Sequence, residues 1–323
     1  MMASAHAQDS SPSRNLPLFS GVFTALVTPF RDDGAVDEAG LRRLAKRQIA
    51  GGVAGLVPCG TTGEAVTLDA DEHERVVAVV AEEARASSRR VSVIAGCGSN
   101  DTRKSQGLAE RCRRAGADAL LVVTPYYNKP TPKGLVAHFL AVADAGRLPL
   151  VLYNVPGRTG LNMQPDTVLE LAKDPRIVAV KEASGSLDQA CEILRARPGG
   201  FAVLSGEDSL AIPMIACGAE GVIAVVSNEA PGLYVEAIAA ALAGNRARAS
   251  ELQARIFPLM KANFRESNPI PVKWALARLG LIGGALRLPL VPLSPQHHAP
   301  LEDALRTAGL LDAAGKPVEK AAA

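Results

Sequence analysis

The side chain in this sequence best placed to do chemistry is a lysine at the end of an apolar run. Lys181 follows IVAV at residues 177–180, and apolar residues at consecutive positions are typical of a buried parallel strand. An unpaired ammonium group in such a place loses its hydration, which costs far more free energy than packing returns. Lys181 is therefore either a paired structural cation or a neutral amine that acts as a nucleophile, since burial favours the uncharged form.

Clusters of polar residues follow several other apolar runs, and three of the four tyrosines lie in them. Each cluster also has an ordinary structural explanation. A tyrosine at a strand end packs its ring and leaves the hydroxyl at the rim, hydroxyls in a Gly-Thr-Thr-Gly turn cap a helix, and Arg158 is one more surface arginine. The clusters are GTTGE at residues 60–64, TPYYN at 124–128, YNVPGRTG at 153–160 and SGED at 205–208.

Taken together, these residue types match the chemistry of an imine formed between an amine and a ketone. A neutral lysine attacks the carbonyl carbon, and a phenol relayed through hydroxyl groups shuttles the protons. Backbone N–H groups at the glycine-rich turn and the planar guanidinium of Arg158 bind carboxylates. We therefore interpret Lys181 as a nucleophile.

Short apolar runs alternate eight times with amphipathic helical segments between residues 20 and about 243. Such alternation predicts a parallel sheet, and eight units in about 250 residues predict a closed (β/α)8 TIM barrel in the α/β class. An open nucleotide-binding sheet has one weak supporter, Gly96 and Gly98, but Asp101 stands where its fingerprint needs a third glycine. In TIM barrels the active site lies at the C-terminal ends of the strands, where the polar clusters fall.

The chain divides into four predicted segments. Residues 1–17 are predicted to be a disordered polar tail, 18–243 the barrel, 244–312 a C-terminal helical extension and 313–323 a second tail. Net charge is +2, and no Lys/Arg cluster with interleaved aromatics occurs, so we expect no nucleic-acid partner. The 48% apolar residues include no run of the roughly 18–20 that a membrane helix needs, so we expect no membrane span.

The five cysteines are scattered and form no C-x-x-C pair, so the sequence predicts no disulfide framework and no zinc site. We expect a cytoplasmic protein with a small soluble partner. His73 lies in a helical segment and is expected to be exposed, which makes metal binding there improbable.

Five motifs resemble those of the 4-hydroxy-tetrahydrodipicolinate synthase family, within the class I pyruvate-dependent aldolases that include N-acetylneuraminate lyase. They are GTTGE, TPYYN, YNVPGRTG, KEASG and NPIPVKWAL, in this order, and the resemblance covers residues 18–312. It implies a lyase that condenses pyruvate with L-aspartate 4-semialdehyde to 4-hydroxy-tetrahydrodipicolinate in lysine (diaminopimelate) biosynthesis. It implies no metal and no organic cofactor, because the lysine itself is the electron sink.

The resemblance also implies roles for the residues that catalyse the reaction. Lys181 would form the imine with pyruvate, and Tyr153 would transfer protons, linked through Thr61 to Tyr127. The tyrosine at position 127 would cross a tight dimer interface, within a homotetramer built as a dimer of dimers.

Further residues are implied to bind the two substrates. Thr61 and Thr62, with the backbone near Gly206 and Ile223, would hold the pyruvate carboxylate. Arg158 would receive the carboxylate of aspartate 4-semialdehyde.

A regulatory lysine site of feedback-inhibited family members is altered in this chain. His73, Asn100 and Tyr126 match that site, whereas Lys104 stands where those members have a glutamate that pairs with the ammonium of the inhibitor. We therefore predict that free lysine inhibits weakly or not at all. The remaining positions of the site are Ala65 and Ala70, which replace a serine and a histidine, and Val66.

Two alternative functions stay open. One is a related aldolase or dehydratase that acts on a sugar acid or another 2-keto acid, against which the Arg158-Thr159-Gly160 sequence argues. The other is a catalytically inactive barrel that binds a partner, which the joint presence of all the residues implied in catalysis makes improbable.

Overall fold

The computed structural model describes residues 19–318, and eight parallel strands form its centre. Each strand pairs with the next, and β8 pairs back with β1, which closes the barrel. This confirms the predicted TIM barrel. The strands are β1 (Gly21–Ala25), β2 (Gly55–Val57), β3 (Ser92–Gly96), β4 (Ala119–Val123), β5 (Leu150–Asn154), β6 (Ile177–Glu182), β7 (Ala202–Ser205) and β8 (Gly221–Ala224).

Helices follow the strands around the outside of the barrel. The described helices are α1 (Glu38–Ala50), α2 (Ala70–Ala86), α3 (Thr102–Ala115), α4 (Pro132–Gly146), α5 (Pro156–Thr159), α6 (Pro165–Leu171), α7 (Leu187–Ala196), α8 (Ala211–Ala216), α9 (Pro231–Leu242), α10 (Arg246–Ala262), α11 (Ile270–Arg278) and α12 (His298–Ala308). Among them is no helix both long and apolar enough to cross a membrane.

Side-chain caps fix several helix starts. Asp101 caps α3, because its carboxylate accepts from the backbone N–H groups of Arg103 and Lys104. Asp101, which stands where the nucleotide-binding fingerprint needs a third glycine, therefore serves as the N-cap of α3. At α2, Asp69 and Glu72 form a reciprocal capping box.

The apolar side chains form two layers. One cluster fills the inside of the barrel and includes Phe23, Ile94, Leu121 and Ile223. A larger cluster lies between the strands and the helices, and it continues under the C-terminal helices. Each strand contributes side chains to both layers, because successive residues of a strand point to opposite faces of the sheet.

The C-terminal helices pack on the barrel and return to its mouth. Helix α10 packs against α9 and α12, whereas α11 lies next to the loop after β2, where Lys273 pairs with Glu64. The predicted tail at residues 1–17 lies outside the described residues, as does 319–323 of the second tail. Within that second tail, Pro317 forms an antiparallel bridge with Leu311. The four segment boundaries stay a prediction.

Candidate active site

Lys181 and Tyr153 lie side by side at the C-terminal ends of β6 and β5. They are directly opposite each other in the register of the strand pair, and Lys181 Nζ lies 4.2 Å from the centroid of the Tyr153 ring. The two residues are 6% and 7% exposed. Within residues 19–318, Lys181 Nζ has no hydrogen-bond or ion-pair partner. The structure therefore offers a desolvated amine next to a phenol at the mouth of the barrel.

The residues that follow these two on their strands join the strand ends together. Asn154 Nδ2 donates to both carboxylate oxygens of Glu182, at 3.3 and 3.1 Å. Gln189 Nε2 donates to Glu182 as well, at 3.1 Å. Asn154 and Glu182 are buried and opposite in register. Because neighbouring strand residues face opposite ways, this outer network fixes the positions from which Tyr153 and Lys181 point inward.

Gly206 and Ile223 line the same part of the barrel. A Cβ at Gly206 would lie 2.5 Å from Ala183 Cβ and 3.2 Å from Lys181 Cε, so a side chain there would displace its neighbours. The Gly206 N–H already donates to the backbone oxygen of Glu182 at 2.7 Å. Ile223 is fully buried in the inner cluster of the barrel.

The GTTGE motif forms tight turns rather than the start of a helix. The Gly63 N–H donates to Gly60 O, and a short 3-10 helix follows at Ala65–Thr67. Helix α2 begins only after Asp69, which supplies its cap. The helix-capping explanation of the two threonine hydroxyls is therefore wrong.

The two threonines of this motif differ in their surroundings. Thr62 is buried, and its hydroxyl oxygen accepts from Asn268 Nδ2 at 3.0 Å. Thr61 is partly exposed, and its hydroxyl has no hydrogen-bond partner in the part of the chain that the structure describes. The Thr61 hydroxyl thus stays available to a ligand or a second chain.

Arg158 lies on the short helix α5 and is exposed at the mouth of the barrel. One of its terminal nitrogens donates to the backbone oxygen of Asn268 at 3.1 Å. Arg158 makes no ion pair with any residue from 19 to 318. Its remaining N–H groups can therefore receive a carboxylate from solution.

Tyr127 is far more exposed than Lys181 and Tyr153. Its residue surface is 88% exposed, and its backbone has a φ of 73°, in the left-handed region that non-glycine residues rarely adopt. The backbone N–H donates to Thr159 O at 3.4 Å, which helps to hold this conformation. Among residues 19–318, no hydrogen bond links Tyr153 to Thr61 or Thr61 to Tyr127, so this relay is not formed there.

Two acidic residues follow β7 close to Lys181. Burial raises the pKa of Asp208 to about 6, although the backbone N–H groups of residues 225–226 and the charge of Lys181 lower it. Burial also raises the pKa of Glu207, against the charges of Lys261 and Lys181. Burial therefore favours the neutral form of both carboxyl groups near Lys181. Across the described ranges, no group of three His, Cys, Asp or Glu side chains could hold a metal ion.

The prediction that His73 is exposed is wrong. His73 is 2% exposed, and its Nε2 lies 2.8 Å from the backbone oxygen of Gly96. The physical reason is its place on α2, where His73, Val76, Val77 and Val80 share the face that packs on the barrel. This spacing was visible in the sequence.

The other positions of the predicted regulatory site lie on neighbouring loops and helix starts. Lys104 is exposed in the first turn of α3, and Tyr126 is half-buried after β4. Asn128 Nδ2 donates to Asn100 O at 2.8 Å, which joins the loops after β3 and β4. Ala65 is half-buried, whereas Ala70 and the nearby Val66 are exposed.

Sequence reasoning assigned no role to Asn268, although it quoted the NPIPVKWAL motif. Asn268 contacts both Thr62 and Arg158, two residues predicted to bind substrates. The buried ion pair between Lys273 Nζ and Glu64 Oε1, at 2.6 Å, was not predicted from the sequence either. Each motif contains a polar or charged residue, which could have indicated a functional contact. The local sequence does not indicate which of these residues contact each other in the fold.

Comparison with known proteins agrees with this geometry. Residues 18–308 match the model of the Dihydrodipicolinate synthetase family. The chain is 50% identical over 289 residues to the 4-hydroxy-tetrahydrodipicolinate synthase of Methanothrix thermoacetophila, which covers 89% of this chain and 96% of that protein.

Solved structures are similar over nearly their whole length. One is the chloride-inhibited dihydrodipicolinate synthase from Acinetobacter baumannii complexed with pyruvate, with a TM-score of 0.87, 44% identity and coverage of 90% of this chain and 99% of that one. Another is DHDPS from Cyanidioschyzon merolae with lysine bound, with a TM-score of 0.88, 40% identity and coverage of 91% and 99%. The chain belongs to the dihydrodipicolinate synthetase family.

Proposed function

We propose that this chain condenses pyruvate with L-aspartate 4-semialdehyde to form 4-hydroxy-tetrahydrodipicolinate. The observation that carries the proposal is the buried Lys181 amine, which has no ion-pair partner among the described residues and lies against the Tyr153 ring at the barrel mouth. Family membership supports it, as do the activity named for the relative from Methanothrix thermoacetophila and the pyruvate bound to the Acinetobacter baumannii protein.

The proposed reaction begins when the Lys181 amine attacks the keto carbon of pyruvate. Loss of water gives an imine, and loss of a methyl proton gives an enamine, which attacks the aldehyde carbon of the second substrate. The amino group of that substrate then attacks the imine carbon, closes the ring and releases Lys181. Tyr153 is the proposed acid and base, because its phenol ring lies against the amine, with the ring centroid 4.2 Å from Lys181 Nζ.

Thr62 and Arg158, two of the residues proposed to bind carboxylates, both contact Asn268. Thr61 and Thr62 would hold the pyruvate carboxylate, next to Gly206 and Ile223. Arg158 would hold the carboxylate of aspartate 4-semialdehyde through N–H groups that its contact with Asn268 leaves free. Both substrates are anions, so hydroxyl and guanidinium donors suit them.

We also propose that the enzyme acts as a cytoplasmic homotetramer in which Tyr127 reaches the active site of a partner. The exposure of Tyr127, at 88%, and of Val66, at 80%, supports this, since Tyr127 follows β4 and Val66 lies in the short 3-10 helix that follows β2. A second chain would cover this apolar surface and bring the phenol to the unpartnered Thr61 hydroxyl. Sedimentation velocity tests the assembly, and a monomer at working concentration would contradict it.

The test of the proposed activity compares two aldehydes with pyruvate held constant. We expect rapid turnover with aspartate 4-semialdehyde and none above background with N-acetylmannosamine, since Arg158 recognises a carboxylate that the sugar lacks. Equal or faster turnover with the sugar would favour the sugar-acid aldolase instead. Pyruvate consumption with neither aldehyde is the baseline for both assays.

A further inference from the structure

We propose that the Asn268 side chain is a positioning residue, which orients the Thr62 hydroxyl towards the pyruvate carboxylate and so sets the affinity for pyruvate. This inference rests on the proposed function, because it takes Thr62 as part of the pyruvate site. It assigns a role in substrate binding to the C-terminal helical extension, outside the barrel.

Asn268 lies just before α11 and reaches two residues at the barrel mouth. It is 5% exposed, and its Nδ2 donates to Thr62 Oγ1 at 3.0 Å. Its backbone oxygen accepts from Arg158 at 3.1 Å. One residue from the extension therefore contacts both proposed carboxylate-binding groups, one through its side chain and the other through its backbone.

The contact with Thr62 decides where the hydroxyl proton can go. A threonine hydroxyl has one proton to donate and two lone pairs, whereas an amide nitrogen can only donate. Because Asn268 Nδ2 occupies a lone pair, the hydroxyl keeps its proton for another acceptor. Among residues 19–318 the Thr62 side chain has no second partner, so a carboxylate oxygen of the ligand can accept that proton in a charge-assisted hydrogen bond.

Separate contacts hold Asn268 at the correct distance. Lys273, one turn into α11, pairs with Glu64 at 2.6 Å, and both side chains are buried. Glu64 lies two residues after Thr62, and its second carboxylate oxygen accepts from the Arg287 N–H at 3.1 Å. The extension and the GTTGE loop are thus tied together beside the Asn268–Thr62 contact, so the amide can impose a direction on the hydroxyl.

The two contacts of Asn268 predict different effects on the two substrates. A side-chain substitution removes the donor to Thr62 but keeps the backbone oxygen that contacts Arg158. The KM for pyruvate should therefore rise, while the KM for aspartate 4-semialdehyde stays unchanged. A general loss of packing would not separate the two constants.

Steady-state kinetics of Asn268→Ala and Asn268→Asp test this. We expect the pyruvate KM to rise roughly 10- to 100-fold, the range for a hydrogen bond to a charged group. Asn268→Asp keeps the shape of the side chain, so it also serves if the alanine variant folds poorly. Its carboxylate takes the hydroxyl proton and repels the substrate, so it should have the larger effect.

Two further variants separate positioning from stability. Asn263→Ala is the matched control, because Asn263, the residue after α10, is fully buried and donates to Glu229 at 3.1 Å instead of to Thr62. It should lower thermal stability without changing the pyruvate KM. In a Thr62→Val background, Asn268→Ala should raise the pyruvate KM no further, since the hydroxyl it orients is gone.

The outcomes distinguish this inference from the proposed function. An unchanged pyruvate KM in Asn268→Asp, or a further rise in the double variant equal to that in the single one, would overturn the positioning role. If the unsubstituted enzyme neither turns over the two substrates nor forms an adduct with pyruvate, the proposed function itself fails.

Discussion

Two buried lysines of this chain each lie against an aromatic ring, but only one of them has an ion-pair partner among the described residues. Lys181 is 6% exposed and Lys273 is fully buried. Each Nζ lies 4.2 Å from the centroid of an aromatic ring, Tyr153 for Lys181 and Phe30 for Lys273. Lys273 also pairs with Glu64 at 2.6 Å, whereas Lys181 has no ion pair within the described chain.

This contrast indicates that burial alone does not single out a reactive lysine. Burial lowers the pKa of Lys273, and the charge and hydrogen bond of Glu64 offset only part of that shift. At Lys181 the neighbour is a phenol, and the carboxyl groups of Glu207 and Asp208 have raised pKa values. The paired lysine ties α11 to the loop after β2, and the unpaired one is free to react.

The largest expected effect comes from removing the unpaired lysine. Lys181→Ala should lower kcat by at least about 10⁴-fold, because it removes the amine on which the proposed imine forms. Lys173→Ala is the control, since Lys173 is an exposed lysine that pairs with Glu170. Turnover assays with both substrates check this. Near-normal activity of the Lys181 variant would contradict the proposal that Lys181 forms the imine.

The next effect separates the Tyr153 hydroxyl from its ring. Tyr153→Phe keeps the aromatic face beside Lys181 but removes the proton donor, so kcat should fall roughly 10²- to 10⁴-fold. Tyr234→Phe is the matched control, because that buried hydroxyl donates to Asp208 O at 2.8 Å. Equal kcat losses in the two variants would show that the Tyr153 hydroxyl has only a structural role.

The paired lysine should act on stability. Lys273→Met leaves the Glu64 carboxylate buried without its cation, and the free energy of unfolding should fall by about 3–5 kcal/mol. A Glu64→Gln/Lys273→Met double variant should regain part of this loss, because neither side chain is then charged. Urea denaturation measures both. A loss under about 1 kcal/mol in the single variant would mean that the pair is not structural.

The smallest effect concerns a third lysine, which faces solvent. Lys104 is exposed at the position where feedback-inhibited relatives are expected to have a glutamate, so it should repel the ammonium of free lysine. We expect little inhibition at low millimolar lysine and roughly fivefold stronger inhibition of Lys104→Glu, as a contact worth about 1 kcal/mol in water allows. Strong inhibition of the unsubstituted enzyme would contradict this.

The sequence predicted the barrel because its signals are local. Apolar runs and helical segments alternate, and the polar clusters fall where the strands end, so Lys181 could be selected from its neighbours alone. The burial of His73 was equally visible in the spacing of α2, where Val76, Val77 and Val80 share its face. Charged residues precede and follow His73 along the sequence, but they lie on other faces of the helix.

Contacts between distant segments could not be predicted in this way. Glu64 and Lys273 are 209 residues apart, and Thr62 and Asn268 are 206 apart. No periodic pattern in the sequence connects positions so far apart. A motif shows which residue types it contains, but it does not identify the distant residues that they contact. The contacts of Tyr127 are hard to predict for a different reason, because its proposed partner belongs to another chain.

Borohydride reduction in the presence of pyruvate tests the central contrast between the two buried lysines most directly. The protein is incubated with pyruvate, reduced, digested and mapped by mass spectrometry. The account predicts a reduced pyruvate adduct on Lys181 and none on Lys273, although both lysines are buried against aromatic rings. An adduct on Lys273, or no pyruvate-dependent adduct on Lys181, would contradict it.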